Sequence, residues 1–197
     1  MISFALNAPL NLGQFTDGQT ERIQRCMLDA KYNTVASNPV VKIYDNGNGG
    51  QVIITPQQYS FKLLGKLEYS LIESGLDISN NLLEILFPSA EIEACSFTFT
   101  DILEPDTDNL AEQLLKLSSF DYSKEALKDI TTIGYRFLIK KENLFDEIKF
   151  EPYLKDINKL FVEGVFNNEH IQISNIQDCS KKAFNSIVMK INTLTEL

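Results

Sequence analysis

Val40-Val41-Lys42-Ile43-Tyr44-Asp45-Asn46-Gly47-Asn48-Gly49-Gly50-Gln51-Val52-Ile53-Ile54-Thr55 is the stretch on which the fold class turns. Two runs rich in β-branched residues flank a block of Asp, Asn and Gly, the residue types that tolerate the positive φ of a tight reversal. The reading is a β-hairpin. An isolated hairpin is marginal in water, so the rest of the chain must supply more strands and a layer to cover them.

Immediately downstream, Thr55-Pro56-Gln57-Gln58 has the form of a capping box with Pro at the first helical position, while Tyr59, Phe61 and Leu63 alternate with Ser60 and Lys62. The alternation predicts a third strand through Leu64, with a helix over 56–64 as the competing reading. A helix follows through Leu67 and Leu71 and is expected to end at Gly75. Leu82-Leu83-Glu84-Ile85-Leu86-Phe87 stops at Pro88. Then Cys95, Phe97 and Phe99 alternate with Ala94, Ser96, Thr98 and Thr100, a strand with one wet face. Upstream, after a short apolar start, Thr16-Asp17-Gly18-Gln19 opens a helix that carries Ile23, Cys26, Met27 and Ala30 on one side and is expected to cover the sheet.

Further on, an acidic loop from Asp101 to Asp108 leads into a short helix with Leu110, Leu114, Leu115 and Leu117, and Ser123-Lys124-Glu125-Ala126 is a second cap-like start. Ile133, Tyr135, Phe137 and Ile139 share one face of a strand and are read as core. The residues through Leu144, Phe145 and Ile148 are expected to be helical or irregular, with a break at Pro152 and a short amphipathic piece carrying Leu154, Ile157 and Leu160. Val162 to Phe166 and His170 to Ser174 then bracket Asn167-Asn168-Glu169 as a second hairpin. At the end, Ala183, Phe184, Ile187, Val188, Ile191 and Leu194 fit a closing helix, although Ile187, Met189 and Ile191 also fit a strand. These segments predict an α+β fold: a mainly antiparallel sheet built from hairpins and covered on one face by amphipathic helices. One domain over 1–197 is expected, and the length is also compatible with a two-lobe division near 104–124.

A chain of 197 residues, 44% hydrophobic, is long enough to bury about 70% of its unfolded surface without a disulfide or a structural metal. Its formal charge is −9, and both halves are acidic: 10 carboxylates against 6 cations over 1–100, and 17 against 12 over 101–197. Such a balance repels polyanions, and the densest cationic pairs, Lys140-Lys141 and Lys181-Lys182, do not make a basic stripe, so no nucleic-acid partner is expected. Cys26, Cys95 and Cys179 are odd in number and far apart, which excludes a disulfide framework and a CxxC motif and makes the cytoplasm the natural compartment. The N-terminal residues lack the basic and long apolar regions of a signal peptide, and no apolar run is long enough to span a bilayer, so no membrane association is expected.

Glycine-rich phosphate sites fail on inspection. Gly47-Asn48-Gly49-Gly50 leads into a strand, with Val52 where a further Gly is needed, and Gly65-Lys66 has Ser60 and Leu67 where a P-loop requires Gly and a hydroxyl residue. Among the acidic residues Asp101, Glu104, Asp106 and Asp108, the EF-hand pattern is broken by Ala111 and Leu117, and a solvated loop whose Asp106 or Asp108 caps the next helix accounts for them. His170 shares a strand face with Gln172 and Ser174, opposite Ile171 and Ile173, and a thiol dyad with Cys179 is conceivable but enforced by nothing. Neither a cofactor nor a metal is expected. Arg136 stands out as a guanidinium in the middle of a strong strand, where its five donors could hold a carboxylate or phosphate or simply pair with a neighbouring acid. Arg136, its neighbour Tyr135, and Asp106 and Asp108 form the candidate set for ligand or partner contact, and no residue is assigned a catalytic role.

The order of these segments, with Ala8-Pro9 near the start, a strand-rich middle, Ile133-Gly134-Tyr135-Arg136-Phe137 and then Glu151-Pro152-Tyr153-Leu154, resembles a sporadically distributed, uncharacterised family of bacterial α+β proteins. The resemblance covers about a third of the chain and lapses around residues 66–90. It implies no activity, since the family has none assigned. The functional expectation is a non-catalytic interaction protein, a bacterial or phage accessory or defence-related component, with another protein or a second copy of itself as partner. The alternative is a small-ligand-binding or hydrolytic protein built on Arg136 and scattered carboxylates, which requires a concave site where polar groups converge.

Overall fold

The computed structural model describes residues 1–87, 89–104, 114–115 and 132–195. In chain order these form β1 (Ser3–Pro9), α1 (Asp17–Asp29), β2 (Asn33–Ser37), β3 (Lys42–Asp45), β4 (Gly50–Ile54), β5 (Gln58–Leu64), α2 (Tyr69–Leu86), β6 (Glu91–Leu103), β7 (Tyr135–Lys140), β8 (Phe145–Tyr153), β9 (Asp156–Gln172) and α3 (Ile176–Thr195), the last preceded by a 3₁₀ turn at Ile173–Asn175. The strands lie in one antiparallel sheet in the order β2-β3-β4-β5-β1-β6-β9-β8-β7. The fold is α+β, and no described helix is long and apolar enough to cross a membrane.

The hairpin β3–β4 is held by its own polar turn. Asn46 Oδ1 accepts the N–H groups of Asn48 and Gly50, both at 2.8 Å, and Asp45 Oδ1 accepts that of Gly47 at 2.6 Å. Gly49 sits at φ +86°, where an added Cβ would meet the Leu64 carbonyl, so only glycine suits this position. The third strand is realised as β5, and the alternation outweighs the capping signal because β5 pairs on both sides, with β4 and with β1. The Thr16–Gln19 capping box starts α1, which buries Ile23 and Met27.

Register and alternation divide the sheet into two faces. On one face lie Phe4, Leu6, Tyr59, Phe61, Phe97, Phe99, Ile148, Phe150, Val162 and Phe166, all buried. Phe4 and Phe99 approach to 5.2 Å between ring centroids, and Phe184 of α3 reaches Phe99 at 5.8 Å. The helices α1, α2 and α3 lie on this face. Ile72, Leu76, Leu82, Leu83 and Leu86 of α2 are buried, and each such side chain contributes about 1.5–3 kcal/mol.

Several expectations are corrected. The helix expected to end at Gly75 continues to Leu86, because Gly75 is a contact residue rather than a cap: an added Cβ would lie 2.5 Å from Phe61 Cζ. Residues read as helical, irregular and then a hairpin are the long strands β8 and β9. Asp146, Ile148 and Phe150 face the helices while Glu147, Lys149 and Glu151 face away, an alternation that charged residues on both faces conceal in the sequence. Asn167-Asn168-Glu169 does not turn, because β6 pairs with β9 through it and the Asn167 N–H donates to the buried Asp146 carboxylate at 3.0 Å. Pro152 is accommodated where the β8–β9 register shifts. The face of Ile133, Tyr135, Phe137 and Ile139 is only half-buried, with Phe137 47% exposed, because β7 is the last strand of the sheet. The N-terminal apolar segment is a central strand, β1, and β2 is a further edge strand. The closing helix is present as α3. Leu114 and Leu115 are helical; the remainder of the expected 110–117 helix and the Ser123 start lie outside the described residues, as does most of the segment 104–124.

Candidate functional site

The opposite face of the sheet carries no helix among the described residues. Its centre is floored by small side chains, polar except for two alanines: Ser3, Ala5 and Asn7 of β1, Ser60 of β5, and Ala94, Ser96, Thr98 and Thr100 of β6. These groups satisfy one another across strands. Ser60 Oγ donates to Asn7 Oδ1 at 2.8 Å, and the hydroxyls of Ser3 and Thr100 are hydrogen-bonded. Around this floor the same face presents Leu64, 61% exposed, and Leu138 and Phe145, 59% and 50% exposed.

Toward the β7 edge the open face becomes an alternating row of charge. Arg136 Nη2 donates to Glu147 Oε2 at 2.5 Å, and the Lys149 ammonium lies 3.2 Å from Glu147 Oε1 and 2.9 Å from Glu163 Oε1. The hydrogen bond from Arg136, helped by Lys149, holds the Glu147 carboxyl below the usual glutamate range, while the bonds to Glu163 and Glu147 raise the Lys149 ammonium. Arg136 is itself 63% exposed. Tyr135 is on the other face and donates its hydroxyl to the Leu114 carbonyl at 2.9 Å. Adjacent in sequence, the two therefore belong to opposite sides of the sheet.

At the far end of the open face lies a cavity of about 410 Å³. Its floor is Asn7, Ala94 and Ser96; one wall is the β4–β5 turn with Gln57 and Gln58, and the other is Leu144 with Asn167 and Asn168. Both walls are internally braced. Thr55 Oγ1 accepts the N–H groups of Gln57 and Gln58, and Asn167 Nδ2 donates to the Phe145 carbonyl at 2.7 Å. Carboxamides and hydroxyls dominate, with Glu169 the one ionisable carboxylate, so this is a site for neutral hydrogen-bonding groups rather than for phosphate. Arg136 does not line it.

The other residues singled out by sequence are dispersed. Asp101 pairs with the N-terminal ammonium at 3.1 Å, and Glu104 pairs with Lys159. Asp106 and Asp108 lie outside the described residues, and among those described no three His, Cys, Asp or Glu side chains converge as a metal site. His170 is exposed and its Nδ1 lies 3.2 Å from Glu91 Oε1. Burial pushes the Cys95 thiol up to about 12, with Cys179 adding to the effect, and burial also raises the Cys179 thiol, so neither has the thiolate character of a nucleophile at neutral pH. The carboxamide cavity escaped sequence reasoning because its residues come from five separate segments. Only the wet alternation of Ser96, Thr98 and Thr100 hinted at a polar face.

No protein-family model matches this chain, and no curated protein matches it.

Proposed function

We propose that the protein is a non-catalytic interaction protein, a bacterial or phage accessory or defence-related component, that binds another protein through the open face of its sheet. The observation that carries this reading is the breadth of that face: strands from β3 to β7 present small polar side chains at the centre and exposed Leu64, Leu138 and Phe145 around them, with no covering helix among the described residues. A broad surface with a hydrogen-bonded polar centre and apolar margins suits a protein partner better than a reaction, since no described side chain on it pairs a nucleophile with a base.

The test is affinity capture from native cells with the parent protein and with Thr98→Lys, which raises a charged stem from the centre of the face. Circular dichroism verifies the fold of the variant. Loss of the same captured protein by a folded variant supports the reading; identical capture by both removes the open face from consideration. The alternative, binding of a small polar ligand, is favoured by the carboxamide cavity rather than by Arg136. It predicts that Gln57→Ala and Asn168→Ala abolish retention of a small molecule while protein capture persists.

A further inference from the structure

On the helical side, α1 and α2 leave between them a groove of about 570 Å³. We propose that this groove binds a small amphiphilic anion, its carboxylate or phosphate headgroup held by Arg22 and Arg25 and its apolar body laid against Ala30, Ile78 and Ile85. The site is separated from the open face by the full thickness of the sheet, so it stands independently of the proposed protein interaction.

Three observations converge here. The chain has only three arginines, and two of them line this one groove, in a protein of formal charge −9. Spaced i, i+3 on α1, they share a helix face with about 5–6 Å between Cβ atoms, so two guanidinium forks can address one anionic group. Neither forms an ion pair with any described carboxylate, whereas the third, Arg136, is paired with Glu147. Asp29 lines the same groove and is exposed, but it lies beyond ion-pair distance of both guanidiniums, so the rim keeps a net positive charge.

The floor is apolar as well as concave. Ile85 is 9% exposed and Ile78 and Ala30 are half-buried. Cys26 completes this side with a thiol raised first by burial and then by Asp29, so it is neutral at physiological pH and adds apolar surface. The volume matches a small ligand, for which sites of about 300–1,000 Å³ are usual. A bare inorganic anion would leave the floor uncovered, and a cation would meet both guanidiniums.

The experiment follows displacement of the anionic fluorophore 1-anilinonaphthalene-8-sulfonate from the full chain, below micelle-forming concentrations. Dodecanoate and dodecyl phosphate are the two headgroup arms, and dodecyltrimethylammonium and inorganic phosphate are the controls. The expected result is displacement by one or both amphiphilic anions at least tenfold more potent than by either control. Arg22→Gln with Arg25→Gln should weaken it at least tenfold with an unchanged melting temperature. Bound anion should also slow alkylation of Cys26, measured by mass spectrometry, and leave Cys179 unaffected, which locates the ligand in this groove. Equal displacement by the cationic amphiphile, no displacement by either anion, indifference to the double substitution in a folded protein, or unprotected Cys26 would each overturn the proposal.

Discussion

Gly75→Ala should destabilise the protein although alanine is the better helix former. Gly75 lies inside α2, where the exchange on propensity alone is worth about 1 kcal/mol in favour of Ala. The new Cβ, however, would lie 2.5 Å from Phe61 Cζ, 2.7 Å from Phe61 Cε1 and 3.1 Å from Leu63 Cδ1. Phe61 is fully buried and its ring packs edge-on against Phe4 at 6.4 Å, so it has little room to yield. Overpacking of this kind costs about 1–3 kcal/mol, which leaves a net loss of about 1 kcal/mol after the propensity gain. For this chain length that is a drop of about 2–4 °C in melting temperature. Gly18→Ala is the control: it lies in the first turn of α1 with nothing within 4 Å of its added Cβ, and should gain about 0.5 kcal/mol. Urea denaturation followed by circular dichroism measures both. A double-mutant cycle with Phe61→Leu should reduce the cost of Gly75→Ala by more than about 0.5 kcal/mol. If Gly75→Ala matches or exceeds the parent in stability, or costs the same in both backgrounds, the contact is not the reason for the glycine.

Stability should fall between pH 9 and 12. Burial pushes the Cys95 thiol from its ordinary 9.0 up to about 12 in the folded state, so the unfolded state loses its proton first and the folded state is progressively disfavoured across that window; Tyr59, also raised by burial, acts in the same direction. Urea midpoints at pH 8 and 10 should separate, and Cys95→Ala should flatten the dependence. Arg136→Ala should let the Glu147 carboxyl rise toward its ordinary range, visible in a carboxyl NMR titration, with little change in melting temperature because the pair is exposed; a lowered Glu147 pKa contributes above the ordinary glutamate range and is lost as pH falls, so whatever deficit the variant shows at pH 7 should vanish in acid. Duplex DNA at low salt, where electrostatic binding is strongest, should show no submicromolar affinity, and a steeply salt-dependent tight complex would contradict the charge reading.

Much of the N-terminal half was legible in the chain because its signals are local. Asp45 to Gly50 reverses the backbone through its own side chains, Thr16 and Gln19 cap α1 within a single turn, and Phe97 and Phe99 alternate with hydroxyls because one face of β6 meets helices and the other does not. What could not be read was set by partners distant in sequence. Asn167-Asn168-Glu169 looks like a turn until β6, some 70 residues earlier, pairs along it. Gly75 looks like a helix end until Phe61 is placed beneath it. Phe137 looks like core until β7 proves to be the outermost strand.

The same division governs the sites. Composition alone determined the net charge of −9 and its even division between the two halves. Only the tertiary structure decided that Arg136 belongs to a charged row with Glu147, Lys149 and Glu163, that Asn7, Gln57 and Asn168 meet around one cavity, and that Arg22 and Arg25 overlook Ile78 and Ile85. Propensity and capping act over a few residues and are written in the order of the chain. Cavities and charge rows depend on which strands and helices become neighbours, a choice made by burial of the whole apolar face at once.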